Sequence, residues 1–236
     1  MRSKEDSEFS SICDMVGRAK ITREDEKFLR SRIQKTEIED DNENFKTGKI
    51  SIVVTTNLKK DLVNSQKLNH LLPNEKEFVC NCVDRVLNLP NAPKMSEKDQ
   101  KDLNKTGNLP KKLILKVGAP VVVTSNHSKA KYREDGIVNG ARGYVQAIQV
   151  SKENPDNVEI IWVVFNNEKM GRQYRFEHNH LRQDFNPGHP LATPILPERK
   201  KFTLKGGNIQ YQRTNFALSL AYAITAHSVR AKLYSM

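Results

Sequence analysis

The order of apolar and polar positions divides the chain into a helical lead, an α/β stretch, a run of short strands and an apolar tail. Phe9, Ile12, Cys13 and Val16 recur at the spacing of an amphipathic helix, and Gly17 is placed to end it. Thr22 then stands as an N-cap with Asp25 three residues on and Ile21 as an apolar staple, predicting a second helix over 23–34. Residues 37–44 (EIEDDNEN) read as an acidic loop. Ile50 to Thr55 is a β-branched run and predicts a strand, with Thr56-Asn57 as a turn or cap. Leu58, Leu62, Leu68 and Leu72 repeat at helical spacing until Pro73-Asn74, and Phe78 to Val86 predicts another strand. Strand, helix and strand in this order is the pattern of an α/β sheet. Residues 90–110, rich in Pro, Lys and Asn, read as a linker or surface excursion.

From Leu113 the texture changes. Leu113 to Val123 reads as strand, turn, strand, with Gly118 and Pro120 at the turn. Gly143 to Val150 alternates apolar with polar, and Val158 to Phe165 is a further strand bounded by Asn154-Pro155-Asp156-Asn157. Short strands at regular spacing predict a small barrel. Asn139-Gly140 is a favoured hairpin turn. Gly143 fits either turn chemistry or a close approach of two backbones. Residues 186–207, with three prolines and three glycines, read as a crossing linker, and Phe216 to Val229 as a final, alanine-rich helix.

Charge narrows the field. Of 236 residues, 37% are apolar and 28% charged, and the formal net charge is +11. Residues 1–48 hold 10 of the 39 basic and 12 of the 28 acidic residues, leaving 29 and 16 for the rest, so the positive excess lies after residue 48. A balance that basic points to a polyanion such as nucleic acid. No run approaches a membrane span, and the polar, charged start is not a secretory signal, so no membrane partner and no secretion are expected. Three cysteines, Cys13, Cys80 and Cys82, argue for a reducing compartment. Cys80-Asn81-Cys82 is not a zinc spacing, and alternation puts both thiols on one strand face. His178, His180 and His189 lack an accompanying ligand pattern and read as loop residues.

No complete active site stands out. A phosphate loop would read Gly-x-x-x-x-Gly-Lys-Ser/Thr, but Gly48-Lys49 runs into Ile50 and no glycine stands five residues before Gly48. Asp25-Glu26 follows Thr22-Arg23-Glu24 and not the buried apolar strand that an Mg²⁺-binding acidic box requires; acids of a first helical turn are the better reading.

Three segments, in order, resemble the Pif-one-like DNA helicases of superfamily one, relatives of the RecD-like helicases. The first is Val53-Val54-Thr55-Thr56-Asn57 with Val63-Asn64 and Leu68-Asn69. The second runs from Leu113 to Val145 and holds Leu115-Lys116-Val117-Gly118-Ala119-Pro120-Val121, Asn126, Gly136 and Val138-Asn139-Gly140-Ala141-Arg142-Gly143-Tyr144-Val145. The third is Arg213 to His227, similar to the family's motif V. The resemblance covers most of residues 50–230. It implies an α/β fold: an incomplete second RecA-like helicase domain with an inserted small β-barrel and a helical N-terminal lead. The segments implied are a lead at 1–48, the opening of the RecA-like domain at 49–89, the barrel at 111–185 and a return at 208–236.

The resemblance implies single-stranded DNA as partner, gripped by Thr225 and His227 near the end of the last helix. A hydroxyl and an imidazole N–H are suitable phosphate donors. Asn57, Lys116, Arg142 and the basic run Lys129, Lys131, Arg133 are further candidates for backbone contact, the last equally readable as a solvated hairpin tip. ATP and Mg²⁺ are cofactors of the intact motor, held with a first RecA-like domain that is the other implied partner; none is expected on this chain alone. The family's Lys-x-Gln-Gly is here Ser228-Val229-Arg230-Ala231, Ala217 replaces a proline, and the chain stops at Met236, before the arginine finger. This chain alone is therefore expected not to hydrolyse ATP. A nuclear or mitochondrial home and roles in DNA repair, recombination and telomere maintenance are what the family would imply. Two other readings stay open: a non-catalytic nucleic-acid-binding or interaction module, and a fragment that does not fold alone.

Overall fold

The computed structural model describes residues 11, 12, 15, 18, 20–31, 42–89, 94–204 and 207–225. The chain divides into two compact units, Met1–Glu39 and Asp40–Met236. In the first, Ser11, Ile12 and Met15 are helical and Ile12 is buried. Phe9, Cys13, Val16 and Gly17 lie outside the described residues. The second helix forms as α1 (Arg23–Ser31). The Thr22 amide donates to Asp25 Oδ2 at 2.8 Å and the Asp25 amide to Thr22 Oγ1 at 3.1 Å, a reciprocal capping box. Ile21 stays exposed, because the helix offers Glu26 and not an apolar side chain where a staple would need its partner.

The second unit contains α2 (Glu43–Lys46), β1 (Ile52–Val54), α3 (Asn57–Leu71), β2 (Phe78–Asn81), β3 (Val83–Val86), α4 (Glu97–Lys101), β4 (Lys112–Leu115), β5 (Pro120–Val123), α5 (Ala130–Glu134), β6 (Arg142–Val150), β7 (Val158–Phe165), α6 (Arg172–Glu177), β8 (Thr193–Ile195), β9 (Glu198–Thr203), β10 (Gln210–Asn215), β11 (Leu218–Leu220) and β12 (Ala223–Thr225). Helix α2 falls within the expected lead but belongs to this larger unit. Asn42 caps it, and its Phe45 is fully buried 5.6 Å from the Tyr222 ring.

The strands form four sheets: β1-β12, β3-β10-β9, β11-β5-β6-β7-β8 and β2-β4. The five-stranded sheet ends at β11 on one side and β8 on the other. It is open, which corrects the expected closed barrel. It does not need closure to bury both faces. Val145, Ile161, Val163 and Phe165 pack in one cluster, while Ile160, Trp162 and Val164 pack in another. A strand buried on both faces reads as a continuous apolar run, as β7 does.

Four local expectations change. The Phe78–Val86 run breaks at Cys82, whose amide donates to the Lys111 carbonyl at 2.9 Å; β2 joins β4 and β3 joins β10. Cys80 is buried, with its thiol pushed up to about 11 by desolvation, while Cys82 is half-buried, so the two do not share a face of one strand. The turn at Gly118 forms at φ +86°, but β4 and β5 enter different sheets. At Asn139-Gly140 only Gly140 has positive φ, so the turn is not the mirror-image hairpin type. The stretch 186–207 contains β8 and the start-to-end run of β9.

The stretch 94–110 docks on the body through Arg213. This side chain is fully buried: it donates to Asp84 at 2.8 Å through both Nε and Nη2, and through Nη1 to the carbonyls of Gln100 (2.9 Å) and Leu109 (3.1 Å). The excursion is thus anchored, with Met95, Thr106 and Leu109 buried.

Phe216 to Thr225 is not a helix. It makes two short strands, β11 antiparallel to β5 and β12 parallel to β1. Nearly every residue from Phe216 to Thr225 is buried, so sheet partners far away in sequence overrule the helix propensity of its alanines. The rest of the expected helix lies outside the described residues.

Candidate functional site

Parallel pairing of β1 with β12 sets Val54 beside Thr225, so both strands run out at the same edge. There the chain turns from β1 into α3. Thr56 is extended and caps that helix, its Oγ1 accepting from the Lys59 amide at 3.2 Å. Asn57 follows as the first helical residue and is exposed. The first amides of a helix have no intrahelical partner, and over 15 residues the aligned peptide dipoles leave partial positive charge at that end. No acidic residue in the first turn compensates it. A helix N-terminus beside the carboxyl ends of parallel strands is where α/β folds hold anions.

Asn64 locks this corner. Buried on α3, it donates through Nδ2 to the carbonyls of Ala223 (3.1 Å) and Leu220 (3.4 Å) and accepts from the Ala223 amide at 2.8 Å. Ser51 Oγ adds a bond to the Ala221 carbonyl at 2.5 Å. The helix start and Thr225 are therefore held in one frame. Thr225 is 7% exposed at the last described position; His227 lies outside the described residues.

The other expected contacts are not gathered here. Lys116 is buried and its ammonium donates to the Leu72 carbonyl at 2.8 Å, closing the end of α3. Arg142 donates to the carbonyls of Gly48 (3.2 Å) and Lys49 (3.5 Å). Both cations are committed to holding the chain, which corrects their expected place on a phosphate-facing surface. Gly48-Lys49 is itself a packed turn, with Gly48 at φ +72° against Pro120.

The basic run around α5 has a different use. Lys131 pairs with Glu177 of α6 at 2.5 Å, and Tyr132 donates its hydroxyl to the same carboxylate at 2.6 Å. Arg133 reaches back to the carbonyls of His127 (3.0 Å) and Ser128 (2.9 Å). Lys129 keeps its ammonium 5.5 Å from the Tyr132 ring and is exposed. Beneath it, His127, Tyr132, Tyr174 and His178 pack ring against ring, with Tyr174 and His178 stacked at 4.0 Å. The sequence reading missed this cluster and placed His178 in a loop. The signal available was the pair of tyrosines flanked by histidines in segments 127–132 and 174–178, but nothing local says that they meet.

Lys131 and then Tyr132 hold the Glu177 carboxyl down to about 2. A depressed carboxylate favours the folded state above its unfolded value, and the contribution disappears as pH falls through the folded value. Between about pH 4.5 and 2 the α5–α6 contact should weaken. Melting temperatures followed over that window should fall more for the native chain than for Glu177→Gln. Parallel curves would mean the pair contributes nothing.

Among the described residues no group of three or more His, Cys, Asp or Glu side chains is placed to hold a metal ion, and no helix is long and apolar enough to cross a membrane.

No family model and no curated protein matches the chain. Solved structures do. The fold is similar to that of Pif1 helicase from Candida albicans, with a TM-score of 0.58 at 18% identity, over 97% of this chain and 46% of that one. It is also similar to Pif1 helicase from Bacteroides in complex with ADP-AlF3 and ssDNA, with a TM-score of 0.55 at 20% identity, over 93% and 39%. Bacteroides sp Pif1 in complex with ADP-AlF4 gives 0.53 at 20% identity, over 94% and 40%. The chain has the mixed α/β fold of part of these proteins and spans less than half the length of each.

Proposed function

We propose that this chain is the strand-gripping part of an ATP-dependent DNA helicase, its second motor domain, which holds single-stranded DNA and moves it when paired with a first RecA-like domain. The observation that carries this reading is the corner where β1 and β12 end beside the N-terminus of α3. A phosphate at that corner would meet peptide amides, the positive end of a helix dipole and the Thr225 hydroxyl. His227, two residues on, would add a ring N–H. The fold shared with part of the Pif1 helicases, one solved with ssDNA, supports the choice of ligand. The net charge of +11 supports it independently.

The described residues do not fit ATP. Gly48-Lys49 is a buried turn tied to Arg142 and Pro120, and a phosphate loop needs a run of free amides. On this reading the nucleotide and Mg²⁺ belong to the first RecA-like domain, and the chain's own contribution is to bind and orient the strand.

Fluorescence anisotropy of a labelled single strand across a salt series tests the proposal. The logarithm of affinity should fall linearly with the logarithm of salt, by about 0.7 per phosphate neutralised. The double substitution Thr225→Ala/His227→Ala should lower affinity about tenfold at every salt concentration, since it removes two phosphate donors and no formal charge. Salt-dependent binding that ignores the pair would leave a general basic surface and favour the non-catalytic binding module. No binding at low salt would remove the strand-gripping role.

A further inference from the structure

Between α5, α6 and β9 lies a pocket of about 420 Å³, apart from the α3 corner, within the size range of small-ligand sites. Its lining includes the rings of His127, Tyr132, Tyr174 and His178, the cations Lys129 and Arg199, and the carboxylate of Glu198. The rings form a fixed wall, with Tyr132 and Tyr174 at 4.5 Å and nearly perpendicular and His178 stacked on Tyr174. Glu198 is the exception to an otherwise satisfied interior. Its Oε2 is buried and accepts no hydrogen bond, the Lys200 ammonium lying 2.8 Å away as an ion pair without hydrogen-bond alignment. Buried polar atoms are nearly always partnered, and one left over in a pocket wall calls for a ligand.

Three features together select that ligand. Aromatic walls stack flat rings. A carboxylate asks for two adjacent N–H donors, and of the four DNA bases only guanine presents two side by side on its pairing edge, at N1 and the 2-amino group. The cations Lys129 and Arg199, with Lys200 behind Glu198, repel a cationic guest such as a methylated lysine and suit one that carries phosphate. Lys129 is exposed, where it can follow a backbone that enters the pocket.

We propose that this pocket takes one unstacked guanine of a single strand, with Glu198 accepting from its pairing edge, the His178–Tyr174 stack supporting its face and Lys129 meeting its phosphate. The inference rests on the reading that the chain binds single-stranded DNA, and extends it with a base-reading subsite away from the α3 corner.

The test uses the full chain and two sets of probes. The first is a short labelled oligothymidylate carrying at its centre guanine, hypoxanthine (which lacks the 2-amino group) or thymine. The guanine strand should bind about tenfold tighter than either of the others, and Glu198→Gln should bring the three together. The second set is free guanosine monophosphate, inosine monophosphate and guanosine, followed by ligand-observed NMR. Guanosine monophosphate should bind best, Glu198→Gln should abolish that preference, and Lys129→Ala should remove the advantage of the monophosphate over guanosine. Should Glu198→Gln fail to fold, the Lys129→Ala comparison and the three strands on the native chain still decide. Equal affinity for the three strands, with salt-dependent binding intact, overturns the pocket and leaves the strand-gripping role. Selective binding of the free nucleotide with no strand binding keeps the pocket and overturns that role. If neither probe binds, both fall.

Discussion

Replacing Arg213 with methionine will cost the fold about 3–5 kcal/mol, enough to consume much of the stability of a domain this size. The side chain is fully buried and spends its guanidinium on three partners: the Asp84 carboxylate and the carbonyls of Gln100 and Leu109. Methionine fills a similar volume but leaves a carboxylate and two carbonyls without donors in a poorly solvated place. Removing one member of a buried pair costs far more than removing both. Urea unfolding of Arg213→Met, Asp84→Leu and the double variant separates these terms. The double variant should recover a large part of the loss. If Arg213→Met is as stable as the native chain, the guanidinium is not what ties the 94–110 excursion to β3 and β10. Recovery should also restore protection of the 94–110 segment from proteolysis, because that segment hangs on the same two carbonyls.

Gly143→Ala should be nearly as damaging, at about 3 kcal/mol. Gly143 sits in β6 between Val121 and Phe165. A Cβ there would run into the Val164 carbonyl and come within 2.9 Å of the Phe165 Cα. These are backbone atoms of the neighbouring strand, so no rotamer change relieves the collision. The sheet must part where it carries Trp162 and Val163, both fully buried. Thermal unfolding should show a single large drop in Tm. Gly188→Ala is the control: its positive φ also disfavours alanine, but the nearest atom to an added Cβ is the Gln146 side chain at 3.8 Å, so its cost should be far smaller. Equal losses at the two sites would assign the effect to glycine's backbone freedom and not to close approach.

Much of the fold is legible in the sequence because it is set by neighbours a few residues apart. Thr22 with Asp25, and Thr56 with Lys59, are caps closed within one turn, so the residues that make them stand together in the sequence. Helix α3 announces itself by leucines at helical spacing, although Leu58 and Leu62 remain exposed and Leu68 alone of the four is fully buried. Strands β6 and β7 carry their alternation or apolar run over eight or nine residues, long enough to be read without a partner. The α3 half of the candidate corner is legible for the same reason.

The tertiary structure decided the rest. Phe216 to Thr225 has the composition of a buried helix, yet it is two strands, because its partners at β5 and β1 lie outside any local window; Ser51 bonds Ala221 from 170 residues away. Strands β8 and β9 hide in a proline-rich stretch for the same reason. Charge alone did not say which cations are free: Lys116 and Arg142 match a phosphate-binding role by residue type, but carbonyls at Leu72, Gly48 and Lys49 claim them. Nor did any periodicity bring Tyr132, Tyr174 and His178 around Glu198. The sequence by itself determined where short-range hydrogen bonds and repeated apolar faces place helices, caps and the longer strands. Which short apolar runs become sheet, and which charged groups remain for a ligand, was decided only by long-range pairing, since a buried hydrogen-bonding group is satisfied by whatever the fold sets beside it.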